Sequence, residues 1–150
     1  IREASGDIGV FGHGYTYSGH PVSCAVALKT LEIYERDKVF QHAKKVGEYF
    51  QNSIKEILKE DYVGEVRGIG LIAGIELYKD PLNKIAFEEA GKAGKILSDT
   101  CQKNGLIVRP ILDTVALCPP LIISEKEVDE LTDKLKKSLQ EAKDEIMKVH

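Results

Sequence analysis

The segment VGEVRGIGLIAGIELY, residues 63–78, admits two incompatible folds. It holds a glycine–x–glycine at Gly68 and Gly70. In a dinucleotide-binding unit such glycines follow a strand and open a helix, whose first N–H groups receive the pyrophosphate. Here Gly70 is followed by Leu71, Ile72, Ala73, Gly74 and Ile75, which continue an extended, β-branched pattern. The segment therefore reads as strand, glycine bend, strand. Nucleotide binding at these glycines is rejected.

Working outward, two amphipathic helices precede this hairpin. Pro21 suits the first turn of a helix, because its missing N–H needs no partner there. Val22, Ala25, Val26, Leu28, Leu31 and Tyr34 then form an apolar stripe running to about Arg36. Asp37 is placed to cap a second helix whose apolar face is Val39, Phe40, Ala43, Val46, Phe50, Ile54, Ile57 and Leu58. After the hairpin, a helix is expected from about Pro81 or Asn83 to Asn104. Ala86, Ala90, Ala93, Ile96 and Leu97 would face inward, and Gly105 would stop the helix. "LIVRP" and "TVALC" read as two short strands joined by "PILD". Ser124 and Glu127 have capping-box spacing at the head of a last helix with the seam Val128, Leu131, Leu135, Leu139, Ala142 and Ile146. The predicted fold class is α+β, a small and mostly antiparallel sheet covered by helices.

The 150 residues, 43% hydrophobic and 30% charged, suffice for a core, and the formal net charge is −3. With no basic run and no apolar run of bilayer length, neither a nucleic-acid nor a membrane partner is expected. Cys24, Cys101 and Cys118 are odd in number and widely spaced, which fits reduced thiols and a cytoplasmic setting. The chain opens without Met, and its methionine is Met147, so a piece of a larger protein is expected.

Residues 1–20 have no sustained period and read as loop, with an extended piece around Ile8 to Phe11. Within them Tyr15, Thr16, Tyr17 and Ser18 stand between Gly14 and Gly19. Two readings stand. Glycines, free amides and a Thr or Ser hydroxyl ahead of a helix N-terminus suit a phosphate. The same residues also suit a tight structural turn. His13 and His20 lack the neighbouring carboxylates a metal site would need, so no metal is expected. Arg109, at the end of a predicted strand, is either a solvated charge or a bidentate partner for a carboxylate. Arg67 has the same two readings, with an intradomain salt bridge preferred. The lysines mostly occupy polar helix faces, and none is set by sequence in an apolar pocket that would make it a nucleophile.

"HGYTYSGHPVSCAVAL" closely resembles the loop-to-helix junction of class III pyridoxal-phosphate aminotransferases, particularly the ω-amino acid:pyruvate type. "VGEVRGIGLIAGIEL", "GLIVRP" and "ALCPPLIIS" are similar to later segments of that family, in the same order. The resemblance implies the C-terminal part of a fold-type I enzyme. Residues 1–20 would be a cofactor-facing loop at the end of the large domain. Residues 21–37 would be an interdomain helix, and 38–150 the C-terminal small domain. It further implies a homodimer in which Thr16 bonds the pyridoxal 5'-phosphate of the other subunit. Tyr15 would line the same site, for cofactor and substrate, and Ser18 would join Thr16 and Tyr15 at the cofactor while shaping the loop with Gly14 and Gly19. Arg109 would bind the substrate carboxylate. The substrates would be a small-molecule amino donor, an ω-amino acid or amine, and a keto acid such as pyruvate. The family's Schiff-base lysine lies upstream of residue 11 in a part not included, so the 150 residues alone are expected to be inactive. The family often has glycine where this chain has Leu112, directly before Asp113, and serine where it has Cys118. The alternative from another class is a free-standing α+β module that binds a small acid or regulates a partner.

Overall fold

The structure, a computed structural model, describes residues 6, 9, 12 and 14–149. The chain divides into two compact units, residues 1–37 and 38–150.

In the first unit a turn at 16–19 leads into α1 (Pro21–Arg36), with Pro21 in the first turn as the sequence predicts. The helix buries none of its residues: Val26 is 61% exposed and Leu28 64%. Asp37 does not cap the next helix. It closes α1, and its carboxylate takes both Nε (2.7 Å) and Nη2 (2.8 Å) of Arg36. That bidentate pair holds the Asp37 carboxyl below its ordinary range. The extended piece expected at 8–11 lies, apart from Gly9, outside the described residues.

The second unit begins with α2 (Val39–Lys55), which opens from Lys38 in a left-handed conformation without a side-chain cap. A 3₁₀ turn (Glu56–Lys59) leads to β1 (Val63–Ile69) and β2 (Ile72–Leu77). Then come α3 (Lys92–Lys103), β3 (Arg109–Ile111), β4 (Thr114–Leu117) and α4 (Glu125–Ile146). The four strands form one sheet in the order β1-β2-β4-β3, and every pairing is antiparallel. The α+β class predicted from the sequence is the class observed.

Glycine chemistry sets the first hairpin. Ile69 pairs with Ile72 across a two-residue loop in which Gly70 has φ +55°. A positive φ at the first loop position matches the right-handed strand twist and costs glycine no clash. The loop is pinned to α2: Gln51 Nε2 donates to the carbonyls of Gly70 (2.9 Å) and Ile72 (3.1 Å). Gly47 of α2 lies so close that a Cβ there would stand 2.9 Å from Gly70 Cα.

Alternation along β2 and β4 puts Ala73, Ile75, Leu77, Val115 and Leu117 on one buried face. Against it pack Phe50 and Ile54 of α2, Leu97 and Cys101 of α3, and Leu135, Leu139 and Ile146 of α4. Each such side chain contributes about 1.5–3 kcal/mol on leaving water. Tyr62 is also wholly buried, and its hydroxyl donates to the Leu139 carbonyl at 2.5 Å. The Ser124–Glu127 capping box forms as its spacing predicts and opens α4. The end of α3 is likewise as expected: Leu106 N–H bonds Cys101 C=O (2.9 Å), Gly105 N–H bonds Gln102 C=O (3.1 Å), and Gly105 has φ +75°.

The start of α3 corrects the sequence reading. The helix begins at Lys92, not near Pro81. The Asp80 carboxylate takes the N–H groups of Leu82 (3.0 Å) and Asn83 (3.2 Å), and Lys84 is left-handed, so the chain turns instead of winding on. Ala86 and Ala90 are exposed, and Phe87 is the residue this loop buries.

Candidate functional site

The turn of the first unit is built from its own hydroxyl. Ser18 N–H donates to Tyr15 C=O (2.9 Å), Tyr15 N–H donates to Ser18 Oγ (2.8 Å), and His20 N–H donates to Tyr17 C=O (3.2 Å). Gly19, at φ +75°, takes the conformation that other residues would resist. Ser18 thus shapes the loop. Thr16, at the next corner, makes no hydrogen bond to another described residue, and the Tyr15 and Tyr17 rings are exposed. The α1 start supplies no competing anion: its first turn has no acidic residue and His20 gives no side-chain cap. An uncommitted hydroxyl a few residues before a helix start without side-chain cap or acidic residue is of the donor chemistry that fits a phosphate. His13 lies outside the described residues.

Arg109 belongs to the second unit. It opens β3, a three-residue edge strand paired only with β4, and is exposed. Among the described residues its guanidinium has no ion-pair partner, so its charge is available for a carboxylate from solution. Arg67, in contrast, makes the intradomain bridge expected of it. It pairs with Glu76 across the β1–β2 hairpin and lies 3.7 Å from Glu65, and its pKa is raised chiefly by the Glu76 hydrogen bond.

The residue that the sequence reading passed over is Asp113. The β3–β4 hairpin turns at Leu112 and Asp113, since Ile111 pairs with Thr114. Leu112 has φ +52°, the conformation that favours glycine. Asp113 Oδ2 accepts from Gly91 N–H (2.9 Å) and Oδ1 from Gly94 N–H (3.1 Å), while its own carbonyl accepts from Leu77 N–H (2.9 Å). Gly91 is the N-cap of α3 and has no side chain to satisfy the helix N–H groups, so Asp113 does so from across the fold. Gly94 makes room: a Cβ there would stand 2.0 Å from the Leu112 carbonyl oxygen. Two glycines three apart at a helix start were the available signal, hidden because the helix was expected to begin well before Lys92, at about Pro81 or Asn83.

His42 Nε2 lies 2.8 Å from the Ile123 carbonyl. Cys101 is buried, which pushes its thiol pKa up, while Cys24 and Cys118 are exposed and free. Among the described residues no three His, Cys, Asp or Glu side chains are grouped to hold a metal, and no helix is long and apolar enough to cross a membrane.

Comparison with known proteins gives a consistent result. The family model described as Aminotransferase class-III matches residues 2–139. The chain is 38% identical over 146 residues to the probable gamma-aminobutyrate transaminase 3, mitochondrial, of Oryza sativa subsp. indica, covering 97% of this chain and 29% of that protein. It is 36% identical over 146 residues to the gamma aminobutyrate transaminase 3, chloroplastic, of Solanum lycopersicum, covering 97% and 28%. Among solved structures, a transaminase with L-alanine superposes with TM-score 0.85 at 41% identity, covering 97% of this chain and 34% of that one. The omega transaminase of Pseudomonas jessenii in complex with PMP gives TM-score 0.84 at 36% identity, covering 97% and 32%. The chain therefore spans about a third of the length of these relatives.

Proposed function

The chain belongs to the class III aminotransferase family, and on that premise we propose that it is the C-terminal part of a transaminase. The whole protein would move an amino group from an ω-amino acid or amine to a keto acid such as pyruvate, as a homodimer. Pyridoxal 5'-phosphate, when bound, supplies an electron-withdrawing ring that accepts charge from the substrate carbon and holds the amino group between half-reactions.

This chain's own residues have binding roles. Thr16 donates its hydroxyl to the cofactor phosphate, on a loop whose shape Ser18 and Gly19 maintain. Tyr15 lines the pocket beside it. Arg109 forms a bidentate pair with a substrate carboxylate, which orients the donor and favours ω-amino acids over simple amines. The Schiff-base lysine belongs to the part upstream, as does the surface that covers α1, and the 150 residues by themselves are inactive. A cytoplasmic location goes with the free thiols.

The observation that carries this reading is Arg109: an exposed guanidinium with no ion-pair partner among the described residues, on a strand whose following turn is fixed. The intact protein, given 4-aminobutyrate and pyruvate with pyridoxal phosphate, is expected to form alanine. Thr16→Val is expected to weaken cofactor binding about tenfold, since hydrogen bonds to charged groups contribute ~1.5–3 kcal/mol. Cofactor titration by absorbance measures it. Unchanged affinity would remove Thr16 from the phosphate site, and failure to aminate any keto acid would overturn the assignment as a whole.

A further inference from the structure

We propose that Asp113 is the positioning residue for Arg109, and through it a determinant of selectivity for carboxylate-bearing donors. The inference rests on the reading of Arg109 as the carboxylate-binding group.

β3 is three residues long and lies at the sheet edge, so backbone bonds to β4 alone hold it on one side. Such a strand is weakly fixed by its own ladder. A long guanidinium side chain magnifies any tilt of the backbone that carries it. Something must therefore tie the β3–β4 hairpin to the rigid part of the fold. Asp113 does this three times. Its two carboxylate oxygens take the Gly91 and Gly94 N–H groups at the head of α3, and its carbonyl takes Leu77 N–H at the end of β2. Both anchoring elements are rooted in the core, through Ala93 and Leu97 of α3 and through Ala73, Ile75 and Leu77 of β2. The close seat of the Leu112 carbonyl over Gly94 leaves the turn little room to shift towards the helix. Asp113 touches neither substrate nor cofactor in this scheme. It fixes the strand from which Arg109 reaches.

The matched donors 4-aminobutyrate and butylamine differ in one carboxylate, and butyrate reports carboxylate binding without turnover. In the intact protein, Asp113→Ala is expected to lower the kcat/KM ratio for 4-aminobutyrate over butylamine by about tenfold, mainly through KM. It should also weaken butyrate binding by calorimetry by about the same factor, a smaller loss than the roughly hundredfold that a 1 Å misplacement of an orienting group can cost. Asp113→Asn, which keeps one acceptor oxygen, is expected to fall between wild type and Asp113→Ala. It also keeps the test open if the alanine variant does not fold. Arg109→Ala is the reference. If it lowers the same ratio while the Asp113 variants leave ratio and butyrate affinity untouched, or reduce both donors equally, Asp113 is not a positioning residue. If Arg109→Ala itself does not change the ratio, the reading of Arg109 fails and the proposal falls with it.

Discussion

Two helices meet opposite fates in this chain, α4 sharply divided into an apolar and a polar face and α1 only weakly so. α1 and α4 both carry an apolar stripe at helical spacing, yet α4 buries Val128, Leu135, Leu139, Ala142 and Ile146, and α1 buries nothing. Propensity does not separate them. The difference in pattern goes with a difference in partner: the apolar face of α4 shares the core with the sheet, while the stripe of α1 is exposed. Helix stability in proteins comes mostly from such packing of an amphipathic face and less from intrinsic propensity. An apolar stripe without cover among the described residues is where the reading of this chain as part of a longer protein can be tested.

The contrast should be largest in a pair of truncations. Phe50→Ala removes a fully buried ring and is expected to destabilise the second unit by about 3–5 kcal/mol in urea unfolding. Leu31→Ala, on the 55% exposed stripe of α1, is expected to change the stability of the 150-residue chain by less than about 0.5 kcal/mol. In the intact protein the same Leu31 substitution should cost about 2 kcal/mol or more. Equal small effects in both contexts would mean that nothing covers α1.

A second substitution probes the packed unit where its helix and hairpin meet. Gly94→Ala adds a methyl 2.0 Å from a backbone oxygen, and backbone cannot swing aside as a flexible side chain can. The overlap should outweigh the better helix propensity of alanine and destabilise by about 2 kcal/mol, read as a lowered denaturant midpoint.

This junction also shows what a sequence can and cannot disclose. The 63–78 hairpin, the Gly105 stop and the Ser124–Glu127 box were all legible, because each is decided by residues within a few positions of one another. For Arg67 an intradomain bridge was legible but its partner was not, since Glu76 comes within its reach only once the hairpin has formed. The start of α3 was not. Apolar residues at 86 and 90 continue the helical period, and what breaks it is the local competition of Asp80 for the Leu82 and Asn83 amides. The Asp113 clamp was less legible still, since it joins residues 19 and 22 apart in sequence. Arg109 could be singled out as a candidate, but nothing local showed what holds its strand.

A weaker effect appears at high pH. Tyr62 is fully buried and hydrogen-bonded, and burial raises its pKa above the ordinary value near 10. The folded chain keeps this proton where the unfolded chain releases it. Stability is therefore complete below about pH 10 and declines above it, by up to ~1.4 kcal/mol per pH unit from this group. Tyr62→Phe should cost about 1 kcal/mol near neutrality, through the lost bond to Leu139, and should flatten that alkaline decline. An unchanged slope in the variant would assign the decline to other groups.

The smallest effect is expected at a place where the packed unit is as open as α1. Leu112 forms the apex of the β3–β4 turn, 68% exposed and left-handed at φ +52°. An L-residue gives up about 1–2 kcal/mol in that conformation, and glycine avoids the cost but loses about 0.5–1 kcal/mol more chain entropy on folding. Leu112→Gly should therefore raise stability by only about 0.5 kcal/mol, visible as a slightly higher unfolding midpoint with the m-value unchanged. A decrease would show that the exposed leucine contributes contacts worth more than its backbone strain. In that event exposure alone would not distinguish the two units, and the open stripe of α1 would have to be weighed by what its side chains touch.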